Sequence, residues 1–216
     1  MASKDLSASN ASEETAPERS VLPFLKTFMV GWYGPTLCVV LLFALFLDFF
    51  RLGQHGYSNL YYAAAVRSML LNWRNFFFVS LDPGGLVTVD KPPVGFWLQV
   101  LSAKIFTFSA WSILLPQALA GVCSVALLAH LVRRVAGPLA GLVAGLALAL
   151  MPISVVTNRS NDLDSLLVLT VLCAAWAVIV ATETGRLRLL LLGAAIIGLG
   201  FNIKMLEAYL VVPALA

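Results

Sequence analysis

The chain has 216 residues, 60% of them hydrophobic and only 12% charged, with a formal net charge of +3. Soluble domains carry about 25% charged residues, so the composition excludes an ordinary water-soluble globule and points to the bilayer. The small net charge also argues against nucleic acid as a partner.

Residues 1–30 open with MASKDLSASNASEETAPERS, rich in Ser, Ala and Glu. Few large apolar side chains are available to bury, so a disordered cytoplasmic tail is expected. The segment is too long and too acidic for a signal peptide, and the first span should be an uncleaved anchor. From residue 31 to 216 the chain reads as the N-terminal part of a transmembrane domain. A crossing helix needs about 20 apolar residues, which places spans near 32–50, 112–132, 138–156, 165–181 and 187–203. Lys204 and Glu207 interrupt before an incomplete span over 206–216, and the apolar run at the end implies a longer protein. The small residues of AGLVAGLALAL suit close helix packing. Cys38, Cys123 and Cys173 lie inside apolar runs without a CxxC spacing and read as packing residues.

Basic residues mark the cytoplasmic side of short loops. Lys26, Arg133/Arg134 and Arg186/Arg188 fall together if spans alternate, so a cytoplasmic N-terminus is expected. The large loop 51–111 then lies outside, with the turn after Asn158 and the Lys204 region. Within that loop, residues 59–73 hold good helix formers without Gly or Pro and predict a helix lying in the interface. Pro83-Gly84-Gly85 predicts a turn. Pro92-Pro93 can open a helix but not continue one, so a second interfacial helix should follow. Trp32, Trp73, Trp97 and Trp111 read as interface anchors. The expected fold is all-α, a polytopic transmembrane helix bundle.

Ionisable groups near lipid are costly and therefore informative. This topology gathers Asp82, Asp90, Lys91, Arg159, Asp162, Asp164, Lys204 and Glu207 at one membrane face. Cations there can hold a phosphate, and carboxylates can serve as base or metal ligand. Each group also has a plainer reading: Asp82 shaping a turn, Asp90 and Lys91 forming a surface pair, Asp162 or Asp164 capping a helix, Lys204 pairing with Glu207. His55 and His130 stand isolated. No Rossmann, Walker, GxSxG or HExxH motif occurs.

Taken in order, YYAAAVRSML, VDKPPVGFWLQ, NRSNDLDSLLVL and GLGFNIKM resemble the N-terminal part of a GT-C membrane glycosyltransferase. The likeness is to aminoarabinose-transferase-like and protein O-mannosyltransferase-like enzymes, in an actinobacterial branch. It implies sugar transfer from a polyprenyl-phosphate-linked donor to a lipid, glycan or protein acceptor at the outer face of the plasma membrane. By the same resemblance Lys91 and Lys204 would contact the donor phosphate, with Arg159, Asn59 and Tyr62 beside them. Asp164 and Asp90 would be the catalytic acids, and Asp90 would help bind a divalent metal. One departure matters: the family's Asp-Glu pair before the first juxtamembrane tyrosine reads Ser58-Asn59 here, and asparagine takes no proton at neutral pH. The alternative is therefore a truncated or non-catalytic membrane protein that binds lipid phosphate. A transporter fits less well, because its charges would sit near the midplane.

Overall fold

The computed structural model describes residues 22–54 and 56–215, with side chains over 31–54 and 56–214. The tail predicted for the first residues lies outside that range up to residue 21, as does His55. The chain is all-α among the described residues; the one β feature is an isolated bridge between Ser80 and Thr88.

Helix α1 (Leu22–Phe49) starts ahead of the expected Trp32 and tolerates Pro35 inside it. Three short helices follow in the loop: α2 (Leu60–Met69), α3 (Trp73–Phe77) and α4 (Pro93–Phe106). Pro93 sits at the first turn of α4, where its missing N–H leaves no bond unmade. Then come α5 (Ala110–Ala136), α6 (Pro138–Leu150), α7 (Pro152–Asn158), α8 (Asp164–Thr184) and α9 (Leu187–Lys204). Ser109 and Ser112 form a reciprocal capping box that starts α5. Gly185, left-handed at φ 64°, ends α8. A 3-10 helix, Met205–Val211, and α10 (Val212–Leu215) complete the described chain.

Among the described residues four helical stretches are long and apolar enough to cross a membrane: Gly31–Phe49, Ala110–Ala136, Asp164–Thr184 and Leu187–Ala214. The span expected over 138–156 is broken, because α6 and α7 meet at 63°. Pro152 is the cause: it has no N–H to continue the ladder, and it drives Met151 to an extended ψ of 117°. The run Leu187–Ala214 is interrupted at Lys204, as expected: α9 ends there, Met205 turns to a positive φ of 51°, and the chain resumes as the 3-10 helix.

Two ends of the bundle are distinguishable. At one end the Arg133 guanidinium lies 4.1 Å from the Tyr33 ring centroid, and Arg134 pairs with Glu183. A Cβ at Gly145 would stand 3.0 Å from the Ala129 methyl, so α5 and α6 meet closely through small residues, as their sequence predicts. At the other end the largest core joins α2, α4, α5, α8 and α9 through Tyr62, Val66, Met69, Phe96, Val100, Ile113, Leu163 and Ile203. The basic residues grouped by sequence and the acidic loop residues thus fall at opposite ends. The cysteines are free, and Cys38 and Cys123 are exposed on helix surfaces instead of packed in the core.

The loop is held firmly. Asp82 Oδ1 accepts the Leu86 and Val87 N–H groups at 2.9 and 2.7 Å, which shapes the Pro-Gly-Gly turn. These bonds hold its carboxyl below the usual range. Leu81 and Val87, then Val89 and Val79, close the strands around it, while Ser68 Oγ donates to Asp82 O at 2.7 Å. Trp97 differs from the other tryptophans. It is partly buried, its indole donates to Phe76 O at 2.9 Å, and it stacks on Phe76, tying α3 to α4. Trp32, Trp73 and Trp111 face outward.

Candidate functional site

Four chain segments converge above that core. Tyr62 of α2, Lys91 at the entry to α4, Asp162 to Asp164 at the start of α8, and Lys204 at the end of α9 line one recess of about 220 Å³. The Asp90-Lys91-Pro92-Pro93 motif works through its prolines: they end the extended loop and start α4 at once, so Lys91 is held on the recess wall. Gly95, one turn into α4, allows the close approach. A Cβ there would lie 2.6 Å from Leu163 Cδ2, and Leu163 is itself only 2% exposed.

Lys204 Nζ makes an ion pair with Asp164 Oδ1 and a second one, at 3.0 Å, with Glu207. The plainer Lys204–Glu207 pairing and the site reading therefore hold together. Asp164 opens α8, where a negative charge suits the positive end of the helix dipole. Asp162, which the site prediction omitted, also lines the recess and accepts a bond from Ser160 Oγ at 3.2 Å. Neither aspartate caps α8; its N-cap residue is Leu163, without a side-chain cap bond. Asp90 is exposed at the rim. Tyr62 is nearly buried against Phe96, and its phenol is pushed up to about 12, by burial first and then by Asp90 and Asp162. It remains a hydrogen-bond donor throughout the physiological range.

Two predicted donor contacts lie elsewhere. Arg159 points away from the recess: its Nη1 donates to Leu47 O at 2.7 Å and Asp48 O at 3.3 Å, the free carbonyls at the end of α1. It lines a separate cavity with Ser58 and Ser160. Asn59 caps α2, its Oδ1 accepting from the Tyr61 and Tyr62 N–H groups at 3.1 and 3.4 Å. It positions Tyr62 without lining the recess. His130 stays exposed on α5, remote in sequence from any recess residue.

Among the described residues no three of His, Cys, Asp and Glu converge as a metal's ligand set. A divalent ion at Asp90 would depend on the substrate phosphate for further ligands, and no step is assigned to a metal.

A second cavity of about 420 Å³ adjoins the recess and shares Asp164 with it. Leu148, Met151, Ile153 and Val168 contribute to its walls at the α6–α7 bend. Three of its polar side chains, Ser124, Thr157 and Ser165, are spent internally. Ser124 Oγ donates to Ala120 O, Thr157 to Ile153 O, and Ser165 to Asn158 Oδ1 at 2.7 Å. Asn158 Nδ2 in turn donates to Asp48 Oδ2 at 3.0 Å. The cavity therefore presents apolar surface, with one carboxylate at its mouth.

The family model for dolichyl-phosphate-mannose-protein mannosyltransferase matches residues 90–216, starting at Asp90 itself. The chain belongs to this mannosyltransferase family, within the GT-C glycosyltransferases. "Putative mannosyltransferase YycA" of Bacillus subtilis (strain 168) is 46% identical over 182 residues, which is 84% of this chain and 27% of that protein. "Putative mannosyltransferase YkcB" of the same organism is 43% identical over 178 residues, 82% of this chain and 25% of that protein. The polyprenol-phosphate-mannose–protein mannosyltransferase of Mycobacterium tuberculosis (strain CDC 1551 / Oshkosh) is 36% identical over 109 residues, half of this chain and 21% of that protein. The chain thus spans about a quarter of the length of the curated relatives it matches. No solved structure gives a significant match.

Proposed function

We propose that this chain carries the donor-phosphate end of a membrane glycosyltransferase that moves a mannosyl group from a polyprenyl-phosphate donor to an acceptor hydroxyl at the outer membrane face. The observation that carries the reading is the recess: Lys91 and Lys204, 113 positions apart in the sequence, share it with two carboxylates and the Tyr62 phenol. Cations and a neutral donor around one small cavity suit a phosphate. The adjoining apolar cavity, which shares Asp164, suits the hydrocarbon chain of the same amphiphile.

The reaction is a displacement. The acceptor oxygen forms a bond to the anomeric carbon while the carbon–oxygen bond to phosphate breaks, and the electron pair leaves with the phosphate. Negative charge grows on that phosphate, so catalysis comes mostly from preorganised cations and donors. Lys91, Lys204 and Tyr62 supply them. The acceptor's proton goes to a rim carboxylate. Asp164 is already committed to Lys204 and keeps that ammonium aimed at the recess. Asp162, held only by the Ser160 hydroxyl among the described residues, is the freer base, with Asp90 outside it. Arg159 serves the end of α1 and is not assigned to the donor.

A lipid-phosphate binder without turnover is the second reading. It draws on Ser58-Asn59, since the Asn59 oxygen is occupied by the α2 N–H groups and brings no charge. The full-length Lys91→Ala variant separates the two: transfer of labelled mannose should vanish while membrane insertion persists. Binding of the donor without transfer in the unsubstituted protein would favour the binder, and full transfer in the variant would sink the assignment of Lys91.

A further inference from the structure

We infer that Asn161 is the positioning residue that clips the three walls of the recess together. Its side chain is fully buried and pairs with both the backbone N–H and the backbone C=O of Asn59. Asn59 N donates to Asn161 Oδ1 at 2.8 Å, and Asn161 Nδ2 donates to Asn59 O at 2.8 Å. Its own backbone carbonyl accepts Gln99 Nε2 of α4 at 2.9 Å, and Gln99 is also fully buried. One residue therefore bonds to the N-terminus of α2, which carries Tyr62, and to α4, which Lys91 precedes. It stands one position before Asp162. The bonds reach across 102 and 62 residues of sequence. A side-chain amide is the group able to donate and accept in one plane, as a peptide partner does. Neither aspartate nor leucine can replace both halves at neutral pH.

The catalytic consequence rests on the function proposed above. Misplacing a reacting group by about 1 Å can cost on the order of 100-fold in rate. Asn161→Ala should lower transfer by that order, chiefly in kcat, since the phosphate cations stay in the chain. Asn161→Asp is the sharper variant. Ionised, its second oxygen faces the Asn59 carbonyl and repels it. Protonated, its O–H donates where the amide did. Burial raises the acid above its ordinary value of about 3.9, so the clip should reform within a mildly acidic range. The titratable and charged groups on the surrounding segments include Tyr61, Tyr62, Asp90, Lys91, Arg159, Asp162, Asp164, Lys204 and Glu207. The wild type carries all of them, so a variant-to-wild-type ratio cancels their titration.

The test measures the distance between nitroxide labels in the full-length protein. Cysteines replace exposed Leu71, just past α2, and exposed Thr182 on α8. Cys38, Cys123 and Cys173 are changed to alanine. The unsubstituted clip should give one narrow distribution from about pH 8 to about pH 5. Asn161→Asp should be broad at the upper end and narrow at the lower, and its relative transfer rate should rise in step. A distribution for Asn161→Asp that stays narrow throughout, or stays broad throughout, overturns the inference. Absence of transfer in the wild type would reject the catalytic reading while leaving the distance result to decide on the clip.

Discussion

Gly95→Ala tests how closely the Lys91 motif must approach the start of α8. The added methyl would sit 2.6, 2.8 and 3.0 Å from Leu163 Cδ2, Cδ1 and Cγ. Real Cβ contacts do not close to 2.6 Å, and Leu163, 2% exposed, cannot swing out to lipid or water. Overpacking of this kind costs about 1–3 kcal/mol. The strain falls on the residue beside Asp164, so the Lys91–Asp164 geometry should loosen, and transfer should fall by on the order of tenfold or more. The assay is a thermal or denaturant midpoint in detergent, paired with transfer by the full-length protein. Leu163→Ala gives the internal control. Alone it opens a cavity and costs about 2–5 kcal/mol. Combined with Gly95→Ala it should cost less than the two separate effects, because the methyl occupies the vacated space. Strict additivity, or a Gly95→Ala protein with unchanged stability and activity, would refute the steric argument.

Gly121→Ala should be at least as severe. The new methyl would overlap the Asn158 side chain, which alone among the described side chains donates a hydrogen bond to the buried Asp48 carboxylate. Leaving a buried hydrogen-bonding group unsatisfied costs about 1–3 kcal/mol, to be read as a lowered unfolding midpoint. Tyr62→Phe should weaken donor binding several-fold, with the loss constant between pH 7 and pH 9 on the order-of-magnitude view that the phenol stays protonated. Its folded value, about 12, lies above the ordinary 10.0, so folding favours the protonated phenol. That contribution is complete below pH 10 and is lost as pH rises toward 12 in the wild type alone, which a stability titration of both proteins would detect. Asp82 behaves oppositely. Its folded value is depressed, so its support for the turn is present above the ordinary carboxylate range and lost on acidification below it. Protection of the Leu86 and Val87 amides, measured against their intrinsic exchange rates, should fall there, and Asp82→Asn should remove that pH dependence.

How much of this was legible in the sequence depends on the range of each interaction. Local chemistry read well: Asp82 before Pro-Gly-Gly is a turn, and Pro92-Pro93 opens a helix. The break at Met151 was legible too, since Pro152 penalises a helical conformation at the residue before it. The continuous hydropathy of 138–156 masked it. Lys91, Asp164 and Lys204 were gathered by topology alone, because alternate spans return to the same face. Arg159, one of the two predicted contacts outside the recess, shows the limit of that logic. Topology gives the face of the membrane but not the wall of the recess, and the carbonyls at the end of α1 claim the guanidinium. The buried amides, Asn158, Asn161 and Gln99, carried no sequence signal of their own. Their long-range partners lie 62 to 110 residues away.

The account turns on whether the recess holds a sugar-bearing lipid phosphate that is then consumed. The direct measurement is release of polyprenyl phosphate from polyprenyl-phosphate-linked labelled mannose by membranes containing the full-length protein. It is run beside Lys91→Ala and Asp162→Asn. The account predicts release and transfer by the wild type, none with Lys91→Ala, and tight donor binding without release for Asp162→Asn. Equal release by all three, or by none of them, would contradict it.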